Sequence, residues 1–172
     1  GGDDFPLQDV LNVGFRFPVG ATGATQRRDV EAFLLSFGTD THAGAGQQVT
    51  IRNGGGTGDD VTRLNQLVAV ATGAPTQVGI IAKGNRDGVA RGWFLQSGTF
   101  VSDRTGESVT PANLLASAVA GSETTYTLVP AGMARRLGID RDGDGALDRD
   151  EVLAGSDPSD PNSVPGQCVA DI

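Results

Sequence analysis

Residues 140–151 of the chain read Asp-Arg-Asp-Gly-Asp-Gly-Ala-Leu-Asp-Arg-Asp-Glu, with carboxylates at positions 1, 3, 5, 9 and 12 of the stretch. Oxygen ligands at this spacing form a loop that winds around a calcium ion; position 7 contributes its carbonyl and position 12 both carboxylate oxygens. Gly145, at position 6, permits the sharp turn because it carries no Cβ. The predicted calcium ligands are Asp140, Asp142, Asp144, the carbonyl of Ala146, Asp148 and Glu151.

An acidic, solvated turn is the alternative interpretation of this stretch. It does not explain why the acids fall on ligand positions with a glycine at the bend. Two carboxylates about 4 Å apart repel by about 1 kcal/mol even in water, so a cluster of this kind favours a bound cation. Magnesium fits less well than calcium, because it prefers fewer protein carboxylates and more waters.

The stretch resembles the EF-hand calcium loop, but its flanks differ from those of a complete EF-hand. The preceding segment, 130–139, contains one proline and two glycines and is predicted to be a poor helix. Residues 148–154 are predicted to be helical, with Gly155 ending the helix. Together with 155–163, the loop is similar to the loop-plus-short-helix units of bacterial thrombospondin type 3-like and dockerin-like calcium modules. This resemblance implies an extracellular, structural calcium site.

The same resemblance bears on three polar residues that follow the loop. It implies that Asp157, Asp160 and Asn162 supply oxygens to this ion or to a second one. The alternative is a proline-interrupted polar tail with Asx turns, in which these side chains bond to nearby backbone groups.

The negative charge of the chain is concentrated near its C-terminal end. The formal net charge is −8 over 172 residues. Residues 140–172 hold eight Asp and one Glu against two Arg, which gives −7. The sequence therefore predicts no basic surface for nucleic acid. No apolar run reaches the length of about 18 residues that a membrane-spanning helix needs.

The two ends of the chain carry little chemistry. Cys168 is the single cysteine, which excludes an intrachain disulfide; we expect it to have no role, with an intermolecular disulfide as the alternative. The chain begins Gly-Gly-Asp-Asp, with neither Met nor a signal peptide, and we interpret this as a processed form of a longer precursor.

Residues 1–24 are predicted to be an extended arm containing one strand. Over 11–17, apolar residues alternate with polar or small ones, the two-residue period of a strand with one apolar face. A helix is predicted over 27–37, ending at Gly38. This helix is similar to the last helix of cytochrome c-type domains, although the sequence has no haem motif. The apolar residues of the strand are Leu11, Val13, Phe15 and Phe17.

Residues 25–130 are predicted to form an α+β core domain, followed by the calcium loop and Pro-rich tail at 131–172. Strand, helix, strand, strand, helix, strand is the order of the ferredoxin-like split βαβ fold, an antiparallel sheet with helices on one face. The other face needs a cover, which the N-terminal strand, the helix at 27–37 or a second molecule would supply. The core elements are predicted at 47–52 (strand), a helix capped by Asp59 or Asp60 and running to about 72, 77–82 and 89–96 (strands joined by a turn at 84–88), 111–120 (helix) and 124–129 (strand).

No catalytic residue is predicted. His42 is the only histidine and has no partner for nucleophilic catalysis. The densest acids already belong to the calcium loop, and no phosphate-binding GxxxxGK[ST] motif is present. The sequence therefore predicts that the chain is not an enzyme.

Two function classes remain. In the first, the chain is a secreted structural protein that assembles with copies of itself into an extracellular filament or matrix. Exchange of the N-terminal strand joins the copies, and calcium orders the C-terminal segment. In the second, the chain is the C-terminal accessory domain of a larger secreted enzyme or redox protein, with calcium purely structural. We expect the first, because it uses both the N-terminal strand and the calcium.

Overall fold

The computed structural model describes residues 11, 16–35, 42–55 and 58–166. The chain forms two compact units, 1–41 and 42–172, which are described separately below. The predicted division into 1–24, 25–130 and 131–172 stays a prediction.

The first unit contains helix α1 (Ala21–Leu35), which begins six residues before the predicted start at Arg27. The predicted N-terminal strand lies mostly outside the described residues. Of its described positions, Leu11 is helical, and Arg16 and Phe17 belong to no helix or strand. The guanidinium of Arg27 lies over the ring of Phe17, 5.9 Å from its centroid.

The second unit is built on a six-stranded antiparallel sheet, which confirms the predicted α+β class. The strands lie side by side in the order β1-β6-β2-β3-β4-β5. They are β1 (Gln48–Ile51), β2 (Val78–Arg86), β3 (Val89–Gln96), β4 (Thr99–Ser102), β5 (Ser108–Val109) and β6 (Thr124–Pro130).

The ferredoxin-like arrangement is not confirmed. A ferredoxin-like sheet has its first strand in the interior, whereas β1 here lies at one edge and pairs only with β6 among the described strands. The last strand, β6, lies instead between β1 and β2 and pairs with both. The four predicted core strands correspond to β1, β2, β3 and β6. Strand pairing, however, depends on contacts between distant segments that local periodicity does not contain.

Two tight hairpins join the strands β2, β3 and β4. Asp87 and Gly88 both have positive φ, 54° and 77°, as do Ser97 and Gly98, at 49° and 81°. Two-residue turns of this type match the right-handed twist of paired strands. The turn between β2 and β3 is therefore shorter than the predicted turn at 84–88, because β2 continues to Arg86.

The first face of the sheet is covered by helices α2 (Asp59–Thr72) and α3 (Pro111–Ala116). Helix α2 buries the apolar face that its period predicts, with Leu64 and Leu67 in the core. Helix α3 begins where predicted, because the hydroxyl of Thr110 accepts a hydrogen bond from the backbone N–H of Asn113 at 3.2 Å. It ends at Ala116, earlier than expected.

The second face is covered by the chain's own C-terminal segment, which contains helices α4 (Ala134–Gly138) and α5 (Asp148–Ala154). Ile139 is fully buried in this second core, and Leu147 is partly buried against it. A second molecule is therefore not required to cover the sheet. The residues of the sheet that pack with Ile139 and Leu147 in this second core are Ile81, Phe94 and Val129.

Glycines allow α4 to approach the sheet closely. A Cβ at Gly92, in the middle of β3, would overlap the carbonyl oxygen of Gly138 at the end of α4. A Cβ at Gly79 would lie 2.8 Å from that of Ala134. The absence of side chains at these positions brings the backbone of α4 against the backbone of the strands.

In the part of the chain that the structure describes, no helix combines the length and the apolar character needed to cross a bilayer.

We predict that Ile139→Ala lowers the free energy of unfolding by about 2–5 kcal/mol, because it opens a cavity in the second core. Leu153→Ala removes the same number of atoms from a side chain that is 55% exposed and should cost less than about 1 kcal/mol. Urea unfolding of both variants, in calcium-containing buffer, measures the difference. Equal losses would show that the C-terminal segment does not pack on the sheet as described.

Candidate metal centre

The acidic loop connects α4 to α5 and is closed by one backbone hydrogen bond, from the N–H of Asp148 to the carbonyl of Ile139, at 2.9 Å. Gly145, where the sequence predicted a sharp turn, has φ +101°, a conformation that favours glycine. Gly143 also has positive φ, +81°. The loop therefore bends through two glycines and holds both ends of the acidic stretch together.

The first three acids converge on one point. Asp140, Asp142 and Asp144 each offer one carboxylate oxygen, and these three atoms lie within 4.8 Å of one another. Oδ1 of each of these carboxylates also accepts a backbone hydrogen bond: the N–H groups of Gly143, Asp144 and Ala146 donate to Asp140, Asp142 and Asp144 at 3.0, 3.2 and 2.7 Å. These local bonds engage one oxygen of each carboxylate and leave the other for different partners.

Four carboxylate oxygens of the loop are buried without a hydrogen-bond partner: Oδ2 of Asp142, Oδ2 of Asp144, and both oxygens of Glu151. Glu151 lies in the first turn of α5 and is completely buried. Buried carboxylate oxygens are strongly destabilising unless they are paired or bind a cation. The residues present therefore fit a divalent, oxygen-preferring ion.

The charges around Glu151 shift its protonation. Burial, and then the negative charges of Asp142, Asp144, Asp148 and Asp140, raise the pKa of Glu151 to about 7. Each of these causes disfavours the ionised form. A cation beside its oxygens would favour that form instead.

Arg135 contributes a positive charge at the rim of the loop. Its Nε donates to Oδ2 of Asp140 at 3.1 Å, and its NH2 donates to the carbonyl of Gly145 at 3.2 Å. The side chain of Arg135 is half exposed, so this ion pair contributes little to stability. Arg135 was not predicted as part of the site, because the sequence does not predict α4 and only that helix directs Arg135 toward the loop.

Asp148 connects the loop to the sheet. Its Oδ1 accepts a hydrogen bond from the backbone N–H of Arg141 at 2.8 Å. Its Oδ2 lies 3.8 Å from Nζ of Lys83 on β2 and 3.7 Å from the guanidinium of Arg141. Its predicted role at ligand position 9 stays a prediction, as does that of the carbonyl of Ala146.

Helix α5 is also bonded to the loop between β4 and β5. The N–H of Arg149 donates to the carbonyl of Asp103 at 2.9 Å, and Oδ2 of Asp150 accepts from the N–H of Thr105 at 2.9 Å. Asp103 is itself buried and paired with Arg91, whose Nε lies 2.7 Å from Oδ1. Helix α5, which carries Glu151, is thus bonded both to the acidic loop and to the loop between β4 and β5.

The residues predicted as a possible second metal site, Asp157, Asp160 and Asn162, lie in exposed Asx turns. Oδ1 of Asp157 accepts from the N–H and the hydroxyl of Ser159 at 2.9 and 2.7 Å, and these bonds lower the pKa of Asp157. Oδ1 of Asp160 accepts from the backbone and side-chain N–H groups of Asn162 at 3.0 and 3.1 Å. Within the described residues, the acids that converge are those at 140, 142 and 144, so metal binding by Asp157, Asp160 and Asn162 stays a prediction.

Comparison with known proteins agrees with this geometry. Residues 140–161 match the family model of the bacterial TSP3 repeat. This repeat is a calcium-binding structural module, typical of extracellular proteins. No curated protein and no solved structure matches the chain.

The match supports the predicted resemblance to thrombospondin type 3-like modules but not the dockerin-like or EF-hand details. The similarity of 27–37 to cytochrome c-type domains stays a prediction. The matched repeat and the converging carboxylates together identify calcium as the ion of the C-terminal segment.

Proposed function

We propose that the protein is a secreted, calcium-binding structural protein in which calcium holds the C-terminal segment on the second face of the sheet. The observation that carries this proposal is Glu151, fully buried with both oxygens unpaired, beside the unpaired Oδ2 atoms of Asp142 and Asp144. Calcium supplies the positive charge with which these unpaired carboxylate oxygens interact. Asp140, Asp142, Asp144 and Glu151 would hold it.

The consequence for the fold follows from the neighbours of the acids. Ile139 directly precedes Asp140, and Leu147 directly precedes Asp148, and both apolar residues pack on the sheet. Repulsion between the acids opposes that packing, because it favours a more open loop. A ligand that binds only the folded loop stabilises the packed state by mass action.

Self-assembly into a filament or matrix is the second part of the proposal. Among the described strands, β1 pairs on one side only, and an edge strand of this kind accepts a strand from another chain. The proposed donor is the apolar stretch 11–17 of a neighbouring copy.

The alternative is a C-terminal accessory domain of a larger secreted enzyme or redox protein. The covered second face of the sheet favours it, because no partner is needed there. In that case the domain is held by its parent protein, and its copies remain separate.

We predict that Glu151→Gln lowers calcium affinity more than about tenfold, since even residues that only orient a metal ligand cost about 10–100-fold when changed. Isothermal titration measures the affinity. Asp59→Asn, which removes one carboxylate from the exposed first turn of α2, is the matched control and should leave it unchanged. Unchanged affinity in Glu151→Gln would refute the site.

Calcium should also stabilise the fold. We predict that millimolar calcium raises the free energy of unfolding by about 1–3 kcal/mol over that in EGTA, the range expected for a weak extracellular site. Urea unfolding in the two buffers measures it. The gain should disappear in Glu151→Gln and persist in Asp59→Asn; an equal gain in all three proteins would indicate binding elsewhere.

Imaging separates the two function classes. We predict that the purified chain forms filaments in calcium and that Thr50→Pro, which places a proline in the edge strand β1, reduces their number, because proline cannot donate to the added strand. Circular dichroism checks that the variant folds. Monomers by electron microscopy and by light scattering, with and without calcium, would favour the accessory domain.

A further inference from the structure

A cavity of about 630 Å³ lies between the second face of the sheet and the C-terminal segment. One wall is formed by β2 and β3, around Lys83 and Ala90, and the other by α4, the acidic loop and α5. Its volume lies within the range of about 300–1,000 Å³ that is typical of small-molecule sites. Of the predicted calcium ligands, Asp148 lines the cavity, whereas Asp142, Asp144 and Glu151 do not, so the cavity adjoins the ion site without containing it.

The cavity has an excess of positive charge, although the chain as a whole carries −8. Four cationic side chains line it in addition to Arg91, which is already paired with Asp103 and Glu107. The carboxylates in the lining are Asp103 and Asp148. The four cations are Lys83, Arg136, Arg141 and Arg149.

Two of these four cations share one carboxylate. Asp148 lies 3.8 Å from Lys83 and 3.7 Å from Arg141. Within the described residues, no carboxylate lies at ion-pair distance from Arg136 or Arg149, and the guanidinium of Arg136 bonds only to the carbonyl of Arg141, at 3.4 Å. Two guanidinium groups thus remain available to an anion from outside the chain.

The rest of the lining is apolar and partly open to solvent. Leu137 is 43% exposed and Val152 is 52% exposed, so the two helices of the segment leave apolar surface at the cavity. Val89, Ala90 and Pro158 complete this apolar wall. Apolar walls with a few convergent charged groups are the usual composition of a site for an organic ligand.

We propose that this cavity binds an organic anion, a carboxylate carried on a short apolar body. Guanidinium groups bind carboxylates through two parallel hydrogen bonds, and Arg136 and Arg149 both line the cavity without a carboxylate partner. The apolar body would cover Leu137 and Val152. Neither a small hydrophilic anion nor a neutral apolar molecule matches both halves of the lining.

The test compares three probes on the full chain in calcium-containing buffer: hexanoate, acetate and hexan-1-ol. Chemical-shift titration should show saturable binding of hexanoate, with shifts at Ala90, Leu137 and Val152. Acetate lacks the apolar body and hexan-1-ol lacks the charge, so both should bind at least about tenfold more weakly, as expected for the loss of a charged hydrogen bond or of several buried methylenes.

Arg149→Gln and Arg136→Gln should each weaken hexanoate binding about tenfold, because a hydrogen bond to a charged group is lost. Arg104→Gln, at an exposed arginine outside the cavity, is the matched control and should leave it unchanged. Calcium affinity, measured on the same variants, reports whether the segment is still folded. Absent binding of hexanoate, equal binding of hexan-1-ol, or full binding by both variants would overturn the proposal.

Discussion

The second face of the sheet is covered by a segment whose own charges oppose its folding. Ile139 and Leu147 pack on the sheet, and the three acids between them, Asp140, Asp142 and Asp144, converge within 4.8 Å. Apolar burial holds the segment against the sheet, whereas repulsion between carboxylates tends to open it. In the function proposed above, calcium removes this opposition, because coordination of the ion by the carboxylates replaces their mutual repulsion and leaves the apolar contacts unchanged.

This arrangement makes the calcium loop part of the fold and not an appended tail. Gly92 and Gly79 admit α4 to the surface of the sheet, and hydrogen bonds from Arg149 and Thr105 join α5 to the loop after β4. Occupancy of the ion site should therefore influence the stability of the whole second unit. The same packing encloses the cationic cavity, because one of its walls belongs to the sheet and the other to the calcium segment.

Several features of the molecule could be predicted because they depend on residues close in sequence. The spacing of Asp140, Asp142 and Asp144 determines how a short loop can converge on an ion, and the structure brings these three carboxylates together. The apolar period of α2 and the Thr110 cap of α3 are likewise local; α3 begins as predicted, whereas the N-cap of α2 is Gly58 and not Asp59 or Asp60. The Asx turns at Asp157 and Asp160 were one of two interpretations that the sequence left open.

The sequence alone thus determined the ion loop, the α+β class and the positions of most core helices and strands. Only the tertiary structure decided the strand order, the cover of the second face, and the pairing of Asp148 with Lys83. The reason is physical: a repeating apolar pattern predicts which side of a helix or strand is buried, but not which other element packs against that side. That choice depends on the free energy of contacts between distant segments, which no local stretch of sequence contains.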